Sequence, residues 1–216
     1  MGAIPLTDAD RRPVNTPVVT IAIIVANFIV WGLELAGGDA FVLKWSAIPA
    51  QITAGHQWWT VLTAMFMHGS WSHILGNMVF FWAFGPEIED AMGGPRYLIF
   101  YLLGGIVAML AQVLLVPTST VPNLGASGAI AAVMGAFLVT YPGDRMKTVL
   151  IIWIFVRITF IPAALLIGVW FLTQLLNLGS IATTQSGGVA YAAHVAGVIF
   201  GMATGRLFES RRQETP

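Results

Sequence analysis

The sequence has no cysteine and little charge. The absence of cysteine from all 216 residues excludes disulfides, thiolate zinc sites and a cysteine nucleophile. Charged residues make up 9% of the chain, whereas a soluble domain carries about a quarter. The net charge is zero, so there is no basic surface for nucleic acid and no nucleic-acid partner is expected. So few charges could not cover a surface that faces water.

Hydrophobic residues and glycine are abundant instead. Hydrophobic residues account for 57% of the chain, the mean hydropathy is +0.80, and 23 glycines would let membrane helices approach closely. A transmembrane helix needs roughly 20 mostly apolar residues. The sequence therefore predicts an all-α, polytopic membrane protein, with one membrane domain over 18–208 and short tails over 1–17 and 209–216. The six predicted spans are 18–35, 69–84, 97–116, 125–141, 162–177 and 189–208.

The segments between and beyond these spans set the expected orientation. Most lysines and arginines fall on one side if both termini share it, so the positive-inside rule places both termini in the cytoplasm. The loops at 36–68, 117–124 and 178–188 then face outward. The apolar segment 148–161 contains Arg157, and we predict an interfacial or re-entrant piece there. Short tails that could not form a second domain, together with no targeting presequence, predict a bacterial plasma membrane.

Polar side chains cluster near the outer ends of three predicted spans. They are His68, His73 and Asn77 on the second span, Ser127 on the fourth, and Tyr191 and His194 on the sixth. Because these spans run in the same direction, we expect the polar groups to lie at one depth, and polar groups within a membrane are functional candidates. Glycines spaced four apart after His194 would let the sixth span approach the fourth until Ser127 and His194 form a hydrogen bond.

This set of residue types predicts acyl-transfer chemistry. A serine hydroxyl needs a base to take its proton, and histidine is the usual base. No aspartate or glutamate is expected within a span core, so a Ser127–His194 dyad is predicted rather than a triad. His73 and Asn77 share one helix face and can donate hydrogen bonds to an oxyanion, as can the Ser127 amide at the start of its helix. Gly125 and Gly128 are expected to leave room for a substrate backbone.

The same residues resemble the sequence motifs of the rhomboid family. The stretch from Gln57 to Asn77 resembles that family's second-span signature. Gly125-Ala126-Ser127-Gly128 resembles its GxSG motif, and Ala193-His194-Val195-Ala196-Gly197 resembles its AHxxG motif. The resemblance implies a six-helix rhomboid fold in the lipid bilayer and hydrolysis of peptide bonds in or near the transmembrane segments of substrate proteins.

The resemblance also implies roles for individual residues. Ser127 would be the nucleophile and His194 the base, while His73, Asn77 and the Ser127 amide would stabilise the oxyanion. Substrates would enter past spans two and five, under the loop at 178–188. The sequence departs from the family pattern at Ala131, where relatives often have an aromatic residue stacked on the histidine, and Tyr191 is expected to orient the ring instead. It also departs at Thr60, where many members have arginine.

Three alternatives remain at this stage. An inactive relative that binds membrane proteins without cutting them would lose the serine or the histidine, and both are present. A transporter would need acidic residues within spans and an inverted repeat, and neither is evident. His68, His73 and His194 could converge on a metal ion, but no fourth ligand is apparent. No metal or other cofactor is therefore expected, and the oligomeric state is open.

Overall fold

The computed structural model describes residues 2–153, 155–181 and 190–210. The predicted loop at 178–188 therefore lies largely outside the described residues, as does the end of the predicted tail 209–216. In chain order the elements are β1 (Gly2–Asp8), α1 (Val18–Trp45), α2 (Pro49–Thr53), α3 (Thr60–Thr63), a 3₁₀ turn (Ala64–Phe66), α4 (Trp71–Met92), α5 (Gly94–Leu115), α6 (Ser127–Thr140), β2 (Arg145–Ile152), β3 (Phe155–Pro162), α7 (Ala163–Ile181) and α8 (Tyr191–Phe208).

Six long helices stand where the six spans were predicted. Two of them, α1 and α5, are long and apolar enough to cross a membrane by length and composition alone, whereas α6 and residues 163–178 of α7 are apolar but shorter. Two helices run well beyond the predicted bounds. α1 continues past a kink at Gly38, whose φ of +58° is accessible to glycine. α4 continues to Met92 and ends at Gly93, which has φ +77°.

The centre of the fold is α6, which is enclosed by α4, α5 and α8. Residues 128–137 of α6 are all buried. Its closest neighbour is α8, where glycine allows backbone-to-backbone contact. A Cβ added to Gly201 would fall onto the carbonyl oxygen of Ala132, and one added to Gly197 would fall onto that of Gly128. These glycines form the close-packing face that the spacing in the sequence predicted.

A three-stranded antiparallel sheet, in the order β1-β2-β3, corrects the all-α prediction. The segment 148–161, predicted as an interfacial or re-entrant piece, forms most of the hairpin of β2 and β3, which pairs from Arg145↔Pro162 to Ile152↔Phe155. The predicted tail 1–17 contains β1, which pairs with β2. The hairpin is rich in β-branched residues, which favour strands. The pairing with β1 joins residues about 140 positions apart in the chain. A hydropathy window covers only neighbouring residues, so it cannot detect such a distant strand partner.

Charged side chains at the end of β1 and the start of β2 form ion pairs that connect the sheet to the helices. Arg11 bonds Asp144 at 2.7 Å and lies 4.0 Å above the ring of Tyr141. The Arg145 guanidinium pairs with Asp10 and holds the pKa of that carboxyl below its usual value. Burial raises the pKa of Asp8 to about 6. The end of β1 and the start of β2 are therefore attached to the C-terminal end of α6.

We predict that Gly201→Ala destabilises the protein, because the new methyl group would meet the backbone of α6. Overpacking of this kind costs about 1–3 kcal/mol, and each kcal/mol lowers the melting temperature of a chain this long by about 2–4 °C. The measurement is thermal unfolding in detergent. Gly32→Ala is the matched control, because a Cβ at that helix position meets nothing within 4 Å. Equal melting temperatures for the two variants would contradict the close contact of α6 and α8.

Candidate active site

Helices α4, α6 and α8 begin at the same end of the bundle, and their first turns carry the predicted polar residues. Ser127 is the first residue of α6, and His194 lies in the first turn of α8. The Nε2 atom of His194 is 2.7 Å from the Oγ atom of Ser127, which is a hydrogen-bond distance. His194 is buried, with 6% of its surface exposed, whereas Ser127 is half-buried. The structure thus brings together the two residues predicted to form a dyad.

The second ring nitrogen of His194 is bonded to a residue of α7. Its Nδ1 atom is 2.8 Å from Oε1 of Gln174. The amide nitrogen of Gln174 donates to the carbonyl oxygen of Trp170 at 3.1 Å, and it lies 3.0 Å from the hydroxyl of Thr173. This arrangement fixes Oε1 as the atom that faces His194, and Oε1 can only accept. Nδ1 of His194 therefore carries the proton, and Nε2 is free to accept the proton of Ser127.

An aromatic ring also contacts His194, and it comes from α7 rather than from α6 or α8. The rings of Trp170 and His194 lie with their centroids 5.3 Å apart and are tilted by 39°. Tyr191 was expected to orient His194, and that role stays a prediction; both ring nitrogens are bonded to other residues. Sequence reasoning missed Trp170 and Gln174. A signal was available, since Gln174 is a polar residue inside the predicted fifth span.

His73 lies beside the serine with a defined tautomer. Its Nδ1 accepts a hydrogen bond from the Gly69 amide at 3.3 Å, so Nε2 carries the proton. A Cβ added to Gly125 would be 3.0 Å from Nε2 of His73 and 3.6 Å from Oγ of Ser127. Gly125 also has φ +132°, a backbone conformation that favours glycine. Its missing side chain leaves the His73 N–H adjacent to Ser127.

Asn77, which is half-buried, pairs with the buried His68 behind His73. Nδ2 of Asn77 is 2.9 Å from Nε2 of His68, and the rings of His68 and His73 meet edge to face at 5.0 Å. The backbone amide of His68 donates to Glu34 of α1 at 2.9 Å. His68 therefore supports the position of Asn77. Glu34 is buried near the end of the predicted first span, so a carboxylate lies close to this pair although none was expected within a span core.

Gly128 serves helix packing in this structure. A Cβ at Gly128 would lie 2.6 Å from the Cβ of Ala108 on α5 and 3.7 Å from that of Ala193 on α8. Gly128 therefore lets α5 approach closely, and it also lines the cavity beside Ser127, so its expected role in leaving room for a substrate stays a prediction. A cavity of about 20 Å³ remains beside Ser127, walled mainly by Gly105, Ala108 and other small or apolar residues. This volume holds about one water molecule.

The loop before α4 is attached through backbone and hydroxyl groups. The Gly125 amide donates to the Ala64 carbonyl at 2.9 Å, and the Thr63 hydroxyl donates to the Trp45 carbonyl at 2.7 Å. Thr60, which stands where relatives often have arginine, is buried and donates to the Gln57 carbonyl at 2.6 Å. Within the described parts of the chain, no group of three His, Cys, Asp or Glu side chains is arranged to hold a metal ion.

Comparison with known proteins identifies relatives of this chain. A family model described as the Rhomboid domain matches residues 55–211. The chain is 31% identical over 116 residues to the rhomboid protease GluP of Bacillus subtilis, a match that covers 52% of this chain and 22% of GluP. It is 26% identical over 186 residues to the rhomboid protease GlpG of Yersinia pestis, covering 85% of this chain and 60% of GlpG. The chain thus spans less than two thirds of either relative.

Proposed function

Because this chain belongs to the rhomboid family and is an integral membrane protein, we propose that it is an intramembrane serine endopeptidase. It hydrolyses peptide bonds in or near the transmembrane segments of other membrane proteins, with Ser127 as nucleophile and His194 as general base. The observation that carries the proposal is the 2.7 Å contact between Oγ of Ser127 and Nε2 of His194. A serine hydroxyl becomes a competent nucleophile only when such a base takes its proton.

The proposed reaction has two acyl-transfer steps. Oγ of Ser127 attacks the carbonyl carbon of the scissile bond while its proton passes to Nε2 of His194, and the carbonyl oxygen becomes an oxyanion. Collapse of this intermediate breaks the C–N bond, and the imidazolium gives the proton to the leaving amine. A water molecule then attacks the acyl group on Ser127 with His194 again as base, which releases the carboxylic acid product and restores the serine.

Three donors are proposed to stabilise the oxyanion. Nε2–H of His73 lies beside Ser127, as inferred from the Gly69 hydrogen bond to Nδ1. The Ser127 amide belongs to the first turn of α6, where backbone N–H groups have no acceptor within the helix, and the helix dipole adds positive character there. The Asn77 amide has a second hydrogen besides the one directed at His68. Donors held in place before the reaction stabilise the transition state.

Gln174 is the proposed positioning residue for His194. By accepting from Nδ1 it selects the tautomer in which Nε2 is unprotonated, and it fixes the ring plane together with Trp170. The amide is neutral, so it stabilises the imidazolium by a dipole and not by a charge. The site is therefore a dyad with an amide in the place that a carboxylate occupies in serine triads.

The six long helices are proposed to cross the bilayer of a bacterial plasma membrane with both termini in the cytoplasm. The site then lies at the outer end of α4, α6 and α8, and the sheet lies at the cytoplasmic end. Substrates are transmembrane proteins that approach past α4 and α7. Support comes from the excess of lysine and arginine on the proposed cytoplasmic side.

We predict that Ser127→Ala and His194→Ala each abolish cleavage of a single-span reporter protein in liposomes, because each removes one partner of the proton transfer. A fluorophosphonate probe should modify the native protein and fail to modify Ser127→Ala. Ser119→Ala is the control, because its hydroxyl accepts a hydrogen bond from the Val121 amide in the loop before α6. Cleavage by either dyad variant at the native rate would refute the assignment.

We predict that Asn77→Ala lowers turnover by about 10²-fold, the scale of one lost oxyanion donor. The measurement is kcat on the same reporter, with thermal unfolding as a check that the fold is kept. Asn15→Ala is the matched control, since Asn15 bonds Asp90 at the opposite end of the bundle. An unchanged kcat in a folded Asn77→Ala protein would remove Asn77 from the site.

We predict that Gln174→Leu lowers turnover by up to about tenfold, the worth of one neutral hydrogen bond. Gln174→Glu should keep much of the activity but move the acidic limb of the pH–rate profile to higher pH, because a carboxylate stabilises the imidazolium. Gln112→Leu, a buried glutamine on α5, should leave the profile in place. If Gln174→Glu leaves the profile unshifted, Gln174 has only a structural role.

A further inference from the structure

One face of the three-stranded sheet is apolar and has no protein partner in the described chain. Strand pairing places its residues in three rows, and residues opposite each other in paired strands share a face. The rows are Gly2–Ile151–Val156, Ile4–Val149–Ile158 and Thr7–Lys147–Phe160. Val156 is 68% exposed, and Ile158 and Phe160 are each 56% exposed. We call this surface the outer face of the sheet.

The opposite face is covered near the bundle. Pro5, Asp8, Met146 and Thr148 are all buried, and Met146 belongs to the hydrophobic core. The far end of the hairpin extends beyond the helices, since Trp153 and Phe155 at its tip are 89% and 72% exposed. Exposed apolar surface of this extent on a strand at the edge of a sheet is an aggregation hazard in water. The outer face therefore requires an apolar environment that covers it.

The outer face is continuous with a helix side that faces lipid in the proposed arrangement. Leu75, Val79 and Trp82 form an exposed apolar stripe on α4, at spacings of four and three residues. A cavity of about 650 Å³ lies between α4 and the sheet, and both Trp82 and Phe160 line it. The apolar stripe of α4 therefore passes across this cavity onto the outer face. In the proposed membrane arrangement, lipid would reach both surfaces.

Two unpaired cations border this cavity. Arg12 and Lys147 line it, and in the described parts of the chain neither side chain has an ion-pair or hydrogen-bond partner. The neighbouring Arg11 and Arg145 are paired with Asp144 and Asp10. The carboxylates in the cavity wall, Asp8 and Glu87, are 4% and 2% exposed, so the accessible charge is positive. Apolar surface edged by free cations is the pattern of segments that lie on anionic membranes.

We infer that the sheet lies against the cytoplasmic surface of the bilayer. Its outer face enters the boundary between headgroups and acyl chains, and Arg12 and Lys147 bind the phosphates of anionic lipids. The backbone edge of β3 stays at the level of the headgroups, because an unpaired strand edge is not tolerated in the hydrocarbon interior. The inference rests on the proposed membrane arrangement and not on the protease activity.

The contact would act on the helix that carries Trp170 and Gln174. β3 ends at Pro162 and α7 begins at Ala163, so no linker separates the sheet from that helix. A sheet held by lipid therefore fixes the cytoplasmic end of α7.

The test uses spin labels on single cysteines, which the cysteine-free chain accepts without further changes. Labels at positions 156 and 158 report the outer face, and a label at 157 reports the opposite face of the same strand. In liposomes that contain phosphatidylglycerol, we expect the labels at 156 and 158 to be more accessible to oxygen than to nickel-EDDA. The label at 157 should show the reverse, as should one at the exposed turn residue Gly143. Position 156 and position 158 are independent, so a folding defect in one variant leaves the other.

The role of charge is tested in the same experiment. The double variant Arg12→Gln with Lys147→Gln should lose the difference in label depth between liposomes of phosphatidylcholine alone and those that contain phosphatidylglycerol. Lys44→Gln, a cation at the other end of the bundle, should keep it. Nickel accessibility at 156 and 158 equal to that at 143 would overturn the proposal. So would spin–spin broadening between labelled chains, which would mean that a second copy covers the face. Neither outcome bears on whether Ser127 cleaves a reporter.

Discussion

The contact between α6 and α8 is the constraint on which the site depends. A serine side chain is short, so its Oγ can reach a histidine on another helix only where the two backbones nearly touch. Gly197 and Gly201 allow that approach, because any side chain there would meet the backbone of α6. Lipid provides no hydrophobic gain for helix association, so close van der Waals packing must both hold these helices together and position Ser127.

Among the described residues, the groups in contact with His194 are neutral. Its contacts are a hydroxyl, an amide and an indole ring, and the carboxylate at Glu34 is engaged by the His68 amide. Burial of a carboxylate beside the histidine would cost desolvation energy that a low-dielectric site repays only with excellent geometry. An amide selects the tautomer without that cost, and it gives up the charge stabilisation of the imidazolium. The role proposed for Gln174 is therefore orientation of His194 and not ion pairing.

Hydropathy and helix spacing predicted the positions of all six long helices and the end of the bundle at which the polar residues meet. These features follow from local composition, which a single sequence displays. The sheet was missed for two reasons. β1 and β2 are far apart in the chain, and the composition of an apolar segment such as 148–161 is equally compatible with a strand and with an interfacial piece. Gln174 was missed because the partner of His194 depends on which face α7 turns inward. The packing role of Gly128 was missed because only the structure shows how closely Ala108 approaches it.

The sheet and the site are joined through α7. Both groups that orient His194 come from this helix, and Gln174 lies 11 residues after its start, which is about 16 Å along the axis. Two contacts hold the start of α7 in place. The register pairs Pro162 with Arg145, and the Ala163 amide donates to the Asp144 carbonyl at 2.9 Å. Asp144 in turn binds Arg11, which follows β1. The N-terminal strand, which looks dispensable as a tail, therefore helps to fix the helix that positions His194, the proposed base.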